Sequence, residues 1–198
     1  MGQELEIKLA VADEAQLAAI LTDRDVCALA KHWTEKPMKT TYYDTPTHSL
    51  SARKWMLRQR REGSRSVVCF KMPLDAHLRG EWETEASAPN RAALDALVRS
   101  GAPKILTALS AEGLVPACGA EFQRRCAMLH FADGSQAELA GDCGTLHGRT
   151  EKLPFTELEL ELYGGGPEAM LALAQVLMQR YGLHEEPLSK FARARNLK

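Results

Sequence analysis

Alternation of charged and apolar side chains is the feature that most limits how this chain can fold. In residues 3–9, Glu4, Glu6 and Lys8 alternate with apolar residues, and the same spacing returns in Thr156–Tyr163. Successive side chains of a strand point to opposite faces of a sheet, so this period predicts two strands that are charged on one face. The charged residues of the second strand are Glu157, Glu159 and Glu161.

Other segments are predicted to be strands that carry charge in the same way. Lys54–Glu62 and Arg65–Lys71 form a predicted hairpin, and Arg79–Ala86 is the strand that follows it. Glu121–Phe131 and Ser135–Gly141 form a second predicted hairpin around an Asp-Gly turn. The charged residues of interest in and just after these strands are Arg58, Arg60, Lys71, Arg79, Glu81, Glu83, Glu85, Glu138 and Asp142.

Such a charged face needs counterions. Like charges that stand side by side on a sheet repel, and a buried ion costs several kcal/mol, roughly, even after relaxation. A dry core therefore cannot contain these residues, whereas a wet lumen inside a closed barrel can. We expect acidic strands that bind a divalent metal and basic strands that bind a polyanion. Carboxylates favour Mg²⁺ or Mn²⁺, and lysine and arginine favour phosphate.

The remaining segments supply helices for the outside of such a barrel. Helices are predicted at Asp13–Leu21, Arg24–Lys31, Asn90–Ser100, Pro167–Tyr181 and Ser189–Arg195, and a short strand at Thr40–Tyr43. The apolar residues of the charged strands would pack against these helices. One charged strand alone would equally suit the solvated face of an open sheet, but the recurrence of the pattern favours the enclosed arrangement.

Composition excludes several classes of function. The net charge of −1 gives no overall basic field for a nucleic acid polymer. No apolar run approaches the length of a membrane helix and no leader is evident, so we expect a cytoplasmic protein with no membrane partner. The length of 198 residues predicts one domain over residues 1–198. The sequence leaves a homodimer open.

Several motifs together resemble the CYTH superfamily, also called triphosphate tunnel metalloenzymes. Glu4-Leu5-Glu6-Ile7-Lys8 resembles its ExExK signature, and the resemblance continues in order along nearly the whole chain. The spacing is most similar to the bacterial inorganic triphosphatase branch. The other matching elements are Tyr42–Pro46, Leu57–Arg60, Lys71, Arg79–Glu81, Phe122–Arg124, Glu138–Gly144, Glu157–Gly164 and Ser189-Lys190.

The resemblance implies a fold and a set of site residues. The fold is α+β: a closed eight-stranded antiparallel β-barrel, with a tunnel inside and helices packed on the outside. Glu4 and Glu6 would serve one metal site, and a second acidic group would serve another. The full expected metal set is Glu4, Glu6, Glu138, Asp142, Glu157, Glu159 and Glu161. Phosphate-binding residues would be Lys8, Arg58, Arg60, Lys71, Arg79, Arg124 and Lys190, and Glu4, Glu6, Lys8 and Lys71 would be catalytic.

The expected activity is metal-dependent hydrolysis of inorganic triphosphate to diphosphate and phosphate. Glu157, Glu159 or a lysine could activate the water molecule. Three alternatives remain at this level: a class IV-type adenylate cyclase, a thiamine triphosphatase, and a polyphosphate-binding module without catalysis. Substrate tests separate them, because the sequence reveals no pocket for adenine.

Overall fold

The computed structural model describes residues 5–74 and 79–198, within which the chain forms nine strands and seven helices. The strands are β1 (Glu6–Ala10), β2 (Ala30–Asp44), β3 (Met56–Glu62), β4 (Arg65–Pro73), β5 (Arg79–Glu85), β6 (Val115–His130), β7 (Gln136–His147), β8 (Lys152–Gly164) and β9 (His184–Glu185). The helices are α1 (Glu14–Leu21), α2 (Arg24–Leu29), α3 (Ser49–Ala52), α4 (Arg91–Arg99), α5 (Ile105–Ser110), α6 (Glu168–Tyr181) and α7 (Lys190–Asn196).

All nine strands belong to one antiparallel sheet, in the order β5-β4-β3-β2-β6-β7-β8-β1-β9. The prediction of a closed eight-stranded barrel is therefore wrong. Closure would require hydrogen bonds between β1 and β5, but β9 occupies part of the free edge of β1, at Leu9 and Ala10. In the described part of the chain, β5 pairs with β4 and with no second strand.

The open sheet is nevertheless strongly curled. Lys71 of β4 lies near enough to Glu6 of β1 to lower the pKa of that carboxyl group, although other effects outweigh it. Six strand-to-strand steps separate β4 from β1, which would be roughly 29 Å in a flat sheet. Charges are largely screened from one another beyond about 10 Å. The sheet must therefore curve so that the charged residues of distant strands face one another across its concave side.

The opposite, convex face is apolar and covered by helices, as the alternation predicted. Leu158 and Leu160 of β8 are fully buried against residues of α1 and α6. On the other half of the sheet, Leu57 and Phe70 pack against α4, where Leu97 is fully buried. Each such side chain contributes roughly 1.5–3 kcal/mol through removal of apolar surface from water. This packing fixes which face of each strand is left for the charged residues.

Both predicted hairpins are present. Gly63 joins β3 to β4 with φ of 60°, and Gly134 joins β6 to β7 with φ of 86°, a region that favours glycine. Asp133 supports the second turn, because its carboxylate accepts a hydrogen bond from the Ser135 backbone N–H at 2.9 Å. The hairpins set the register that aligns the charged residues of neighbouring strands.

The described helices include none that has both the length and the apolar character needed to span a membrane.

Replacing the N-cap of α4 tests how this helix is anchored. The Asn90 side chain accepts a hydrogen bond from the Ala93 backbone N–H at 3.0 Å. We expect Asn90→Ala to lower the free energy of unfolding by about 1 kcal/mol, because a helix donor loses its partner. Urea unfolding measures this value, with Asn90→Ser as the control that keeps an acceptor. An unchanged stability in Asn90→Ala would mean that the cap contributes nothing.

Candidate functional site

Two buried carboxylates and one partly buried carboxylate lie at the centre of the concave face. Asp142 of β7 stands directly opposite Glu157 of β8, and Glu159 follows two residues later on the same face. Asp142 and Glu157 are 0% exposed. Their oxygen atoms and one of Glu159 all lie within 4.8 Å of one another, so this acidic triad could hold a metal ion. Hard oxygen donors of this kind fit Mg²⁺ or Mn²⁺.

Cationic side chains surround the acidic triad. Arg124 of β6 donates two hydrogen bonds of 2.7 Å to Asp142 and also contacts Glu159. Lys190 of α7 lies 2.7 Å from Asp142 and 2.8 Å from Glu159, and it contacts Glu157 as well. This mutual pairing is what allows so many charges to be buried together.

The protonation of the triad follows from this environment. Burial raises the pKa of Glu157 above its usual range, and the cations around it only partly offset that effect. Burial acts in the same direction on Glu159, but Lys190 and Arg124 outweigh it and hold the pKa of that carboxyl well below normal. Burial would lower the pKa of Lys190, yet the carboxylates raise it, so its ammonium group stays charged.

Helix α7 brings Lys190 to this position. Ser189, predicted as the first residue of the helix, instead caps it by accepting a hydrogen bond from the Ala192 backbone N–H at 3.2 Å. The Lys190 ammonium lies 5.2 Å and 5.5 Å from the ring centroids of Phe122 and Phe155, which suits cation–π contact. Lys190 is only 6% exposed, so α7 covers one part of the concave face.

A second, mainly basic group lies on the concave face of β3 and β4. Arg58 has contacts of 3.7 Å with Glu81 and with Glu83, and Lys71 lies 2.6 Å from Glu81. Arg60 donates from Nε to the Thr40 hydroxyl at 3.2 Å. Burial and the neighbouring Arg58 lower the pKa of Arg60, and its guanidinium lies 4.0 Å from the Glu62 carboxylate.

Arg58 has hydrogen-bonding capacity to spare. Its Nε is buried and has no hydrogen-bond partner in residues 5–74 and 79–198. An arginine presents its donors in a planar fork that matches phosphate oxygens. The basic group therefore has the donors and the positive charge to bind an anion.

Strand β1 places Glu6 and Lys8 beside the acidic triad. Glu6 stands opposite Glu161, and Lys8 stands opposite Glu159. Burial, and then the charge of Glu159, raise the pKa of Glu6 above its usual range. Lys8 lies 3.7 Å from Glu6. Two of the predicted metal ligands, Glu6 and Glu159, are therefore close enough to repel each other when both are ionised.

Most of the predicted site residues thus lie on one concave surface. Glu138 stands opposite Glu161 and lies 3.9 Å from Arg124, so it is at the margin of the acidic group. Glu4 lies outside the described residues, and the side chain of Arg79 is not described either. Of the two adjacent arginines of β6, Arg124 faces the triad, whereas Arg125 lies 5.0 Å from the Trp33 ring.

The sequence analysis missed some residues of this surface. Glu81 and Glu83 were named among the charged strand residues but were given no role in the site, and they are the partners of Arg58. Cys69 is buried among them and donates to Glu81 at 2.9 Å, but nothing in its sequence context marked it. Arg193 contacts Glu157, and its position three residues after Lys190 on a helix indicates the same face.

The sequence matches the CYTH domain over residues 2–194. The structure is similar to HpAC1 from Hippeastrum, an adenylyl cyclase candidate described as having a dominant triphosphatase activity. Those two chains are 20% identical, the match covers 98% of this chain and 95% of that one, and the TM-score is 0.67.

Two microbial structures have the same fold. PH1819 from Pyrococcus horikoshii OT3 is 17% identical, over 96% of this chain and 97% of that one, with a TM-score of 0.57. An adenylate cyclase candidate from Bacillus halodurans is 17% identical, over 96% of both chains, with a TM-score of 0.55. At these identities the likenesses establish the fold alone, but the domain match spans nearly the whole sequence. The chain belongs to the CYTH family.

Proposed function

We propose that this protein hydrolyses inorganic triphosphate to diphosphate and phosphate with the help of a divalent cation. The observation that carries the proposal is the arrangement of the concave face. Asp142, Glu157 and Glu159 lie on one side of it, and Arg58 and Arg60 lie on the other, with a charged surface between them. The triphosphatase activity of the Hippeastrum relative supports the same substrate class.

The acidic residues are proposed to hold Mg²⁺ or Mn²⁺. The acidic triad is the main site; Glu6 lies close to it on the neighbouring strand β1, and Glu161 lies on β8, two residues beyond Glu159. A bound divalent cation would neutralise phosphate charge and lower the pKa of a water molecule. The complete proposed set of ligands stays as the sequence predicted it: Glu4, Glu6, Glu138, Asp142, Glu157, Glu159 and Glu161.

The basic residues are proposed to bind the triphosphate oxygens. Arg58, with its unused Nε, and the neighbouring Arg60 would fix one end of the chain of phosphates. Lys8 and Lys71 would contact the reacting phosphate group, and Arg124 and Lys190 would turn from carboxylates towards substrate. Arg79 completes the predicted set. Catalysis would then rest on positioning and on neutralisation of developing charge.

The names of two relatives favour one alternative, conversion of ATP to cyclic AMP. The two reactions differ in their products, because a cyclase releases diphosphate from ATP while a triphosphatase releases phosphate. The concave face offers Tyr42 and Phe191, but their rings lie 4.9 Å apart and pack against each other. Triphosphate hydrolysis needs no pocket for a base and is the better-supported proposal.

A substrate screen tests the proposed function directly. The full chain should release phosphate from inorganic triphosphate in the presence of Mg²⁺ or Mn²⁺ and not in the presence of EDTA. ATP and thiamine triphosphate are compared at the same concentration, and cyclic AMP is measured in the ATP reaction. Faster formation of cyclic AMP than of phosphate would establish the cyclase instead. Binding of triphosphate without turnover of any substrate would contradict an enzymatic role.

A further inference from the structure

Arg193 connects the acidic triad to a carboxylate outside it. It lies on α7, one helical turn after Lys190, and its side chain is mostly buried. One terminal nitrogen contacts Glu157, while the other lies 3.6 Å from Glu186, which follows β9. A small movement of the Arg193 side chain would therefore let it pair with either of two carboxylates.

Each carboxylate of the triad is in contact with at least two cationic side chains. Three carboxylates, Asp142, Glu157 and Glu159, are in contact with three cations, which are Arg124, Lys190 and Arg193. Arg193 contacts Oε2 of Glu157 and Lys190 contacts Oε1, so a divalent cation that binds Glu157 must compete with one or both of these cations. The affinity of the triad for a metal ion consequently depends on whether Arg193 has another partner available.

Arg193 is not fully satisfied in its present position. Its Nε is buried and has no hydrogen-bond partner within the described ranges 5–74 and 79–198. A buried donor without a partner raises the free energy of the position that Arg193 now has. A second position in which Nε is hydrated or hydrogen-bonded is therefore accessible at a low cost in free energy. Pairing with Glu186 would provide such a position, because hydrogen bonds hold Glu186 near Arg193. Its backbone N–H donates to the Lys8 carbonyl at 2.8 Å, and its carboxylate accepts from the Leu188 N–H at 2.9 Å.

We propose that Arg193 is a positioning residue with two alternative ion pairs. It pairs with Glu157 when no cation is bound, and its side chain moves to pair with Glu186 when a divalent cation enters the triad. This inference rests on the proposed metal site and explains how that site stays folded without metal. Glu186 acts as the second partner of Arg193 and not as a metal ligand. Triphosphate would favour entry of the cation, because it attracts Arg124 and Lys190 away from the carboxylates and leaves the triad more negative.

The proposal predicts opposite effects from two substitutions. Arg193→Gln removes the competitor at Glu157, so the affinity for Mn²⁺ without triphosphate should rise by about fivefold or more, the lower end of typical coupling between sites. Glu186→Gln removes the alternative partner, so Arg193 stays on Glu157 and the affinity should fall by a similar factor. The glutamine at 186 keeps the acceptor for the Leu188 N–H. Arg193→Lys keeps the charge and should bind Mn²⁺ nearly as the wild type does.

Mn²⁺ binding to the full-length protein is measured by the electron paramagnetic resonance signal of free Mn²⁺, with and without triphosphate. Arg195→Gln is the matched control, because Arg195 is an exposed arginine two residues along the same helix. Equal affinities in wild type, Arg193→Gln and Arg195→Gln would overturn the inference. If Arg193→Gln does not fold, a wild-type affinity in Glu186→Gln overturns it instead.

The same titration separates this inference from the proposed function. Wild-type protein that binds no Mn²⁺ even with triphosphate present would contradict the metal site itself. Wild-type protein that binds Mn²⁺, but whose affinity does not respond to Arg193 or Glu186, would leave the metal site in place and reject the role of Arg193. The expected result is Mn²⁺ binding by the wild type and shifts of opposite sign in the two variants.

Discussion

Replacing Glu159 with glutamine should reduce turnover of triphosphate by roughly 100-fold or more, the usual effect of removing one group that stabilises charge in a transition state. Glu159 is one of the three carboxylates whose oxygen atoms lie within 4.8 Å of one another. Its low pKa keeps it ionised, so it supplies a full negative charge to a bound cation. Glutamine keeps the size of the side chain and an acceptor for Lys190 but removes this charge.

Initial rates of phosphate release at saturating Mg²⁺ measure the effect, and Mn²⁺ titration measures the accompanying loss of metal affinity. Glu185→Gln is a suitable control, because Glu185 is an exposed carboxylate on β9 with no place on the concave face. Melting temperatures verify that both variants are folded. Wild-type turnover and metal affinity in Glu159→Gln would exclude Glu159 from the site.

Replacing Lys190 with methionine should lower the free energy of unfolding in metal-free buffer by roughly 3–5 kcal/mol, the cost of breaking a buried ion pair on one side. Lys190 contacts all three carboxylates of the triad, and its side chain is 6% exposed. Methionine fills a similar volume but leaves the carboxylates short of positive charge. Addition of Mn²⁺ should restore part of the loss, because the cation replaces the missing charge.

The loss should depend on pH in a defined direction. Without Lys190, the pKa of Glu157 in the folded state should rise further above its unfolded value, since burial already raises it. A raised carboxyl pKa stabilises the folded state at low pH, and that stability is lost as the pH rises through the folded pKa. The difference between Lys190→Met and wild type should therefore be smaller at low pH than at neutral pH.

Urea unfolding in EDTA measures this difference, with Arg195→Met as the control on the exposed side of α7. Surface substitutions of that kind usually change stability by no more than about 0.5 kcal/mol. A Lys190→Met variant as stable as the control at neutral pH would show that Arg124 and Arg193 alone neutralise the triad.

The charged face could be predicted from the sequence because a strand has a simple geometry. A period of two residues assigns each side chain to a face, and burial of Leu158 and Leu160 behind the glutamates of β8 agrees with it. The same period does not say which strands are neighbours. Closure depends on backbone hydrogen bonds, and the pairing of β9 with β1 involves two residues with no recognisable pattern. The predicted barrel failed at that point.

Strand β2 shows a different limit. The sequence predicted a helix over Arg24–Lys31 and a strand over Thr40–Tyr43, whereas α2 ends at Leu29 and β2 runs from Ala30 to Asp44. Its first half contains Pro37 and a register shift between Lys31 and Thr34, where His32 has φ of 56°. A bulge interrupts the alternation, so the strand cannot be recognised by its period. The length of β2 is set by its pairing with β6, a contact between segments that are distant in the sequence.

The residues of the candidate site also differ in whether the sequence predicts their position. Residues within alternating strands, such as Glu157 and Arg58, were placed by their period, and Lys190 was placed by the family resemblance. Arg193 was missed because its partner, Glu157, is 36 residues away in the chain. The contact itself has no local signature, although the spacing of Arg193 from Lys190 indicated that both lie on one face of the helix. The structure reveals the contact because α7 returns to the concave face after the sheet is complete.

Within residues 5–74 and 79–198, one edge of β5 has no partner strand, and this has a consequence for how copies of the protein behave in solution. A free strand edge is a template on which another chain can form hydrogen bonds, and natural sheets protect such edges with charge. Four of the seven residues of β5 are ionisable, and three of these are glutamates. A second molecule that aligned its own β5 there would place carboxylates beside carboxylates. The carboxylates of β5 thus also disfavour edge-to-edge pairing with a second molecule.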